Sequence, residues 1–306
     1  MNEIKKEQGY VVGIGELLWD CFPSYRRIGG APANFTYHAA QFGHNGVVVS
    51  AIGRDQDGEA LKSELEAHHL SYNLDHVNLP TGTVDVDIDE DAKNDPIYTI
   101  NTNVAWSIIP YTEKLAQLAA HSRAICFGTL AQYGQTTGQT ITRFLSAAPK
   151  DCYRVFDINL RESGGIPLYS RDVIHSSLRL SNILKVNISE LKYLAKEFNM
   201  PDDSIETIAH RIMKEYDNIH TTIVTLGEEG SWVFGKDECS YYDTPEVDVV
   251  DVVGAGDAFT GAFVGSLLNG KTLREAHHIA VNVSAYVCTQ ESGMPVIPEW
   301  LKSSDA

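Results

Sequence analysis

The chain is short of positive charge. Its 24 lysines and arginines stand against 41 aspartates and glutamates, a net charge of −17 with histidine neutral. Such a chain repels phosphate backbones, so no nucleic-acid partner is expected. A phosphorylated ligand would need a local site of backbone N–H groups and helix ends. Cysteine is sparse and unpatterned. Cys21, Cys126, Cys152, Cys239 and Cys288 are odd in number and contain no CxxC pair, which argues against a disulfide framework and against a zinc site. Long apolar runs are missing, so no membrane span is expected. The opening MNEIKKEQGY is polar and does not read as a signal peptide, and the expected location is the cytoplasm. Internal repeats, low-complexity tracts and Pro/Gly/Ser linkers are also missing. A single domain over residues 1–306 is the expectation.

What is present is ordinary globular composition, 43% hydrophobic and 21% charged. Short apolar runs recur at Tyr10–Ile14, Val47–Ile52, Ala124–Phe127, Val155–Ile158, Ile183–Val186 and Thr222–Leu226. Most lead into stretches of helical period, such as Leu61–Leu70, Leu115–Ala120 and Ile205–Met213. Apolar strands alternating with helices predict an α/β fold with a parallel sheet covered on both faces. Thr83–Asp89 differs: Val84, Val86 and Ile88 alternate with Asp85, Asp87 and Asp89, giving one dry and one wet face. DAKND then reads as a turn, with Ile97–Ile100 returning as a second strand. This hairpin, with further strands from Leu17–Ile28, predicts a small sheet beside the main body, inserted at about 17–30 and 82–106. It reads as a lid over a site at the strand ends or as a plain surface hairpin.

The strongest chemical signal is DVVGAGDAF, Asp251–Phe259. Phe259, Phe263 and Leu267 then share a helical face, so Gly254, Ala255 and Gly256 fall at a helix N-terminus. Free N–H groups there bind an anion and stabilise charge on a transferred phosphoryl group. Asp257, in the first turn, is placed to orient an attacking hydroxyl and take its proton. Taken alone, a helix cap after a tight turn explains the same residues. A second constellation is Gly15–Asp20 followed by Gly29-Gly30-Ala31-Pro32-Ala33-Asn34. Pro32 suits a helix start, and Asp20 and Asn34 offer short polar groups to hydroxyls. Turn chemistry also accounts for both places. The adjacent pairs His68-His69 and His277-His278 do not face one ligand on a helix and are read as surface residues.

GGAPANFTYHAAQFG…AIG (Gly29–Gly53) and DVVGAGDAFTGAF (Asp251–Phe263), far apart and in this order, resemble the two signatures of the ribokinase-like carbohydrate kinase family. GRDQDG, NLR at Asn159–Arg161, KVNISE at Lys185–Glu190 and TLGEEG at Thr225–Gly230 fit as well. The resemblance runs from about Tyr10 to Pro298, and GELLWDCFP with GGAPAN is most similar to the fructokinases. It implies a three-layer α/β/α sandwich with a mostly parallel central sheet and a small β-sheet lid. It implies Asp257 as base and Gly254, Ala255 and Gly256 as anion hole. Asp20, Gly29, Gly30, Asn34 and Arg161 would hold the sugar, with Arg161 reaching sugar or phosphate. Lys185, Asn187, Thr225, Gly227, Gly230 and Asn282 would lie on the ATP side. Asn187 and Glu190 would order water and Mg²⁺, and Asp251 would sit at a monovalent-cation (K⁺) position. A homodimer through the lid is a further expectation. Two departures stand out: Ala105-Trp106-Ser107, where Asp is frequent at the third place and Ser107 is read as one helix cap replacing another, and Val252 where Thr is common.

The implied reaction is transfer of the γ-phosphoryl of ATP to a primary sugar hydroxyl, for fructose the 6-hydroxyl. Ribose, a ketodeoxy sugar acid or a nucleoside are alternative acceptors. A dinucleotide oxidoreductase fits poorly, because Gly13-Ile14-Gly15 is followed by Leu18 where the third glycine is needed. A non-catalytic sugar sensor on the same fold is disfavoured by the intact Gly254, Gly256 and Asp257.

Overall fold

The computed structural model describes residues 9–87, 97–200 and 203–303. Its strands are β1 (Tyr10–Ile14), β2 (Leu18–Cys21), β3 (Arg26–Gly29), β4 (Asn45–Gly53), β5 (Ser71–Val77), β6 (Gly82–Asp87), β7 (Ile97–Ile100), β8 (Ser122–Phe127), β9 (Tyr153–Asp157), β10 (Glu162–Ser163), β11 (Ile166–Pro167), β12 (Ile183–Asn187), β13 (Thr221–Thr225), β14 (Ser231–Phe234) and β15 (Cys239–Tyr242). The main sheet has nine strands in the order β15-β14-β13-β12-β9-β8-β1-β4-β5. Every pair from β13 to β5 is parallel, while β14 and β15 add an antiparallel margin.

Neighbouring residues on one strand serve opposite layers. Val11, Ala124, Cys126, Val155, Ile183 and Ile223 pack with helices Ala31–Ala40, Ala255–Leu268 and Leu273–Cys288. Val12, Ile125, Phe127, Phe156, Leu184 and Val224 pack with the helices that carry Phe144, Leu178, Leu194 and Ile212. Both faces are dry, which is why the strands read as continuous apolar runs rather than alternating ones. The layering is the expected α/β/α sandwich. Helix edges shift from the apolar pattern where caps decide them. The helix expected over Leu61–Leu70 spans Gln56–Ala67, because the Asp55 side chain accepts from the Gly58 N–H at its start.

A separate sheet has the order β3-β2-β6-β7. Val84 and Val86 are buried and Asp85 is exposed, as the alternation requires. The DAKND turn lies outside the described residues. Trp19 pins one face of this sheet to the body: it packs with Leu17, Ala33, Tyr37 and Leu61, and its Nε1 donates to the Asp57 carbonyl at 3.1 Å. At the β7 margin the Ile100 N–H donates to Ser163 Oγ at 3.0 Å, joining the β10–β11 hairpin to the sheet.

Two expectations change. His277 is not on the surface: it is fully buried between Ser231 Oγ (2.8 Å) and Ser240 Oγ (2.9 Å). Burial, with Arg274 and His278 adding to it, pushes its pKa down to about 3 and keeps the ring neutral. Ser107 is no helix cap. It lies inside a short 3₁₀ turn that follows Val104, and its hydroxyl donates back to the Val104 carbonyl at 2.7 Å. Among the described residues no helix is long and apolar enough to cross a membrane.

Candidate active site

Parallel strands deliver their C-termini to one edge of the sheet, where α/β folds bind ligands. Here β1 runs into Glu16, β9 ends at Asp157, β12 at Asn187 and β13 at Thr225. Two helices complete the site because they touch closely. A Cβ on Gly261 would lie 2.7 Å from His38 Cβ and 2.8 Å from the Phe35 carbonyl oxygen. Only glycine lets helix Ala255–Leu268 approach helix Ala31–Ala40 so far. The contact carries Asn34 to Asp257, and Asn34 Nδ2 donates to Asp257 Oδ2 at 2.7 Å.

A cavity of about 510 Å³ opens beside this pair. Asp20, Gly30, Asn34, Arg161 and Asp257 all line it, which brings together five of the residues expected there. Gly29 does not line it. A Cβ on Gly29 would stand 2.4 Å from Asp20 Oδ2, so its role is to leave room for that carboxylate. Gly30 has φ +117°, and a Cβ there would meet the Glu16 carbonyl oxygen at 2.4 Å. The link from β1 to β2 therefore crosses directly over the start of the first helix.

Burial dominates the electrostatics. It lifts the Asp257 carboxyl to about 6, with the Asp157 charge adding and Asn34, Lys185 and Arg161 opposing. Burial likewise lifts Asp20 to about 6 against Arg27 and Arg161. Asp157 is buried and pairs with Lys185 Nζ at 3.0 Å. Burial alone would lower the Lys185 ammonium, but Asp157, Glu190 and Asp257 outweigh it and raise its pKa.

A second cavity of about 720 Å³ lies on the other side of the glycine turn. Asn187 and Thr225 are in register at the ends of β12 and β13, and both line it, with Gly227, Gly230, Ala255 and Gly256. Lys185 lines the first cavity instead, its Nζ only 3.1 Å from where a Gly256 Cβ would stand. Asn282 lines neither cavity. On its helix Val281, Ser284, Ala285 and Cys288 share the face that does, at helical spacing, while Asn282 Nδ2 lies 3.3 Å from His278 Nε2. The two cavities meet at Asn187, Val252 and Gly256, next to Asp257. Gly254 makes the turn between them with φ +80°, and no side chain caps the helix it opens.

The expected metal positions fare differently. Glu190 lines neither cavity: Oε2 accepts the Asn187 N–H at 2.8 Å and Oε1 the Leu160 N–H at 2.9 Å, while Asn187 Oδ1 accepts the Glu190 N–H at 2.9 Å. Its carboxylate holds the Leu160 loop to the helix start. Asp251 is also engaged. Oδ1 accepts the Val253 N–H at 2.9 Å and Oδ2 receives the Arg27 guanidinium. Both carboxylate oxygens are thus engaged, so a monovalent cation at this position would rest largely on backbone carbonyls. Among the described residues no group of three or more His, Cys, Asp or Glu is placed to hold a metal. A Mg²⁺ ion bound mainly by phosphates and water needs no such group, and Asn187 stands at the junction where it would arrive.

Two residues of the site escape a sequence reading. Glu16 lines the first cavity and Asp157 lies beneath Asp257. Each is a single acidic residue next to an apolar run, a pattern most often seen at an exposed strand end. Glu16 falls inside the GELLWDCFP stretch, but nothing there assigns it a role.

Comparison with known proteins gives consistent findings. The model of the pfkB family carbohydrate kinases matches residues 24–300. The chain is 25% identical to probable fructokinase-3 of Arabidopsis thaliana over 316 aligned positions, covering 95% of this chain and 89% of that one. It is 25% identical to the ATP-dependent 6-phosphofructokinase of Thermoanaerobacterium thermosaccharolyticum, covering 90% and 87%. Its fold superposes on the ATP-bound fructokinase of Xylella fastidiosa with a TM-score of 0.80 at 17% identity, covering 96% of each chain. That last likeness is one of fold, and the fold is ribokinase-like.

Proposed function

We propose that this chain, which belongs to the pfkB family of carbohydrate kinases, phosphorylates the 6-hydroxyl of fructose with ATP. The observation that carries the reading is the meeting of two cavities at Gly256 beside Asp257. One is rich in hydroxyl-binding side chains and is assigned to the sugar. The other has an apolar wall of Val281, Ala285 and Cys288 beside the strand ends and is assigned to ATP.

The sugar hydroxyl donates a hydrogen bond to Asp257. Its oxygen attacks the γ-phosphorus, the bond to the ADP oxygen breaks, and the proton passes to the Asp257 carboxylate. Asn34 holds that carboxylate in place and favours its ionised form. The N–H groups at the Gly254–Gly256 helix start face the charge that builds on the transferring group, and Arg161 and Lys185 add positive charge nearby. Mg²⁺, when bound with ATP, screens the phosphates. Leu18, Val84 and Ile100 of the small sheet line the sugar cavity, which supports its role as a lid that keeps water from the reaction.

Coupled ADP release with ATP–Mg²⁺ against fructose, ribose, glucose, ketodeoxygluconate and adenosine tests this, with Asp257→Ala beside the wild type. Turnover on fructose that collapses in the variant supports the proposal. Turnover on another acceptor replaces the substrate, and binding without turnover points to a sensor. A homodimer through the small sheet belongs to the same proposal, and a monomeric mass by light scattering at micromolar concentration would overturn it.

A further inference from the structure

Glu16 is 3% exposed and has no place in the chemistry above. It lies between β1 and β2, where the chain leaves the main sheet for the small one, and it lines the sugar cavity. Its Oε2 is buried without a hydrogen-bond partner. Buried carboxylate oxygens are costly to leave unpaired, and those kept in a binding cavity are satisfied by a ligand or by bound water. Arg161 is the nearby positive charge that acts on it, and Asp257 and Asp157 oppose ionisation from the other side.

The charges around it narrow the ligand. Glu16, Asp20, Glu162 and Asp257 all line this cavity. Among the described residues the cations that line it are Lys185, already paired with Asp157, and Arg161. A hydroxyl can donate to an unpaired carboxyl oxygen. An ionised phosphate or carboxylate has no proton to donate to that oxygen, and it would stand among acidic side chains. We infer that Glu16 accepts a hydrogen bond from a hydroxyl of the acceptor, and that with Asp20 it restricts the acceptor to neutral polyhydroxylated sugars. This rests on the assignment of the cavity to the sugar. It separates the chain from any relative whose acceptor carries a phosphate.

The test compares wild type, Glu16→Ala and Glu16→Gln in two assays: steady-state turnover, and calorimetric binding of D-fructose, fructose 6-phosphate and ketodeoxygluconate. The neutral sugar that wild type uses best should show KM or Kd raised about tenfold to a hundredfold in Glu16→Ala, with kcat little changed. Glu16→Gln keeps an acceptor oxygen in place and should lose much less, so a misfolded Ala variant does not decide the outcome. Both anionic compounds should be turned over far more slowly by wild type than the neutral sugar; turnover is the readout because fructose 6-phosphate is also the product of the proposed reaction. Unchanged affinity for the neutral sugar in both variants, or fructose 6-phosphate turned over in preference to every neutral sugar, overturns the inference. If no acceptor is turned over, the kinase reading fails, and the binding data alone still decide the role of Glu16.

Discussion

The Arg27 guanidinium sits on the Asp251 carboxylate, joining β3 of the small sheet to the segment that opens the glycine turn. Arg27 also donates to the Glu291 carbonyl at 3.1 Å, and the other Asp251 oxygen holds the Val253 N–H at 2.9 Å. One side chain thus links the small sheet to the backbone that opens the glycine turn. Its charge stands where the family resemblance places a monovalent cation.

Activity should therefore be insensitive to K⁺. Replacing K⁺ by Na⁺ or tetramethylammonium should change wild-type kcat/KM by less than about twofold. In Arg27→Ala the half-buried Asp251 loses its cation, activity should drop by roughly tenfold or more, and K⁺ should restore part of it. A strong K⁺ requirement in the wild type would remove this role from Arg27.

Asp257→Ala should lower kcat by roughly a thousandfold through loss of the base, with melting temperature retained. The folded-state carboxyl sits near 6. The ionised form is the base, so kcat/KM should fall as pH drops through about 6, above the ordinary aspartate range. Asn34 pulls that value down through its hydrogen bond. Asn34→Ala should therefore move the acid limb to higher pH. A pH–rate profile of both proteins reads the shift directly, and an unmoved limb would assign it to another group.

Burial raises the Glu16 carboxyl from 4.5 to about 7. The folded state then binds this proton more tightly than the unfolded one, so the stability it contributes is complete below about 4.5 and is lost as pH rises from there through about 7. Glu16→Gln resembles the protonated form at every pH. Without ligand, its melting temperature should match wild type near pH 4 and exceed it near pH 8, on the order of a few degrees. Equal curves at both pH values would show that Glu16 ionises without cost.

Gly261→Val adds side-chain atoms where even a Cβ meets the Phe35 carbonyl oxygen at 2.8 Å. The loss in stability should be about 2 kcal/mol by chemical denaturation. Separation of the helices should also weaken the Asn34–Asp257 contact and lower kcat beyond the stability effect. Gly270→Ala, with no heavy atom within 4 Å of its Cβ but with φ +81°, serves as a control that strains the backbone without touching the site.

Much of this molecule is determined locally along the chain. Apolar runs of strand length between helical patterns specify the two covered faces, since neighbouring side chains on a strand must point to opposite layers. The Val84/Asp85/Val86 alternation marks the small sheet for the same reason. Gly254, Gly256 and Asp257 mark a tight turn into a helix start. Asp20, Gly30, Asn34 and Arg161 are identified by motif, and all reach one cavity.

Only the tertiary structure decided the rest, because those features depend on partners distant in sequence. The Asn187–Glu190 spacing is compatible with a metal or a cap; the Leu160 N–H, brought in by β9, joins the capping box and occupies the carboxylate. Asp251 offers a cation site in isolation, and Arg27 from 224 residues away fills it. Asn282 and Ser284 are equally polar, and helix rotation against the sheet sends Ser284 to the second cavity. Glu16 has the same composition as any strand-end acid. What makes it unusual is desolvation, and burial is a property of the assembled layers rather than of a residue's neighbours in the chain.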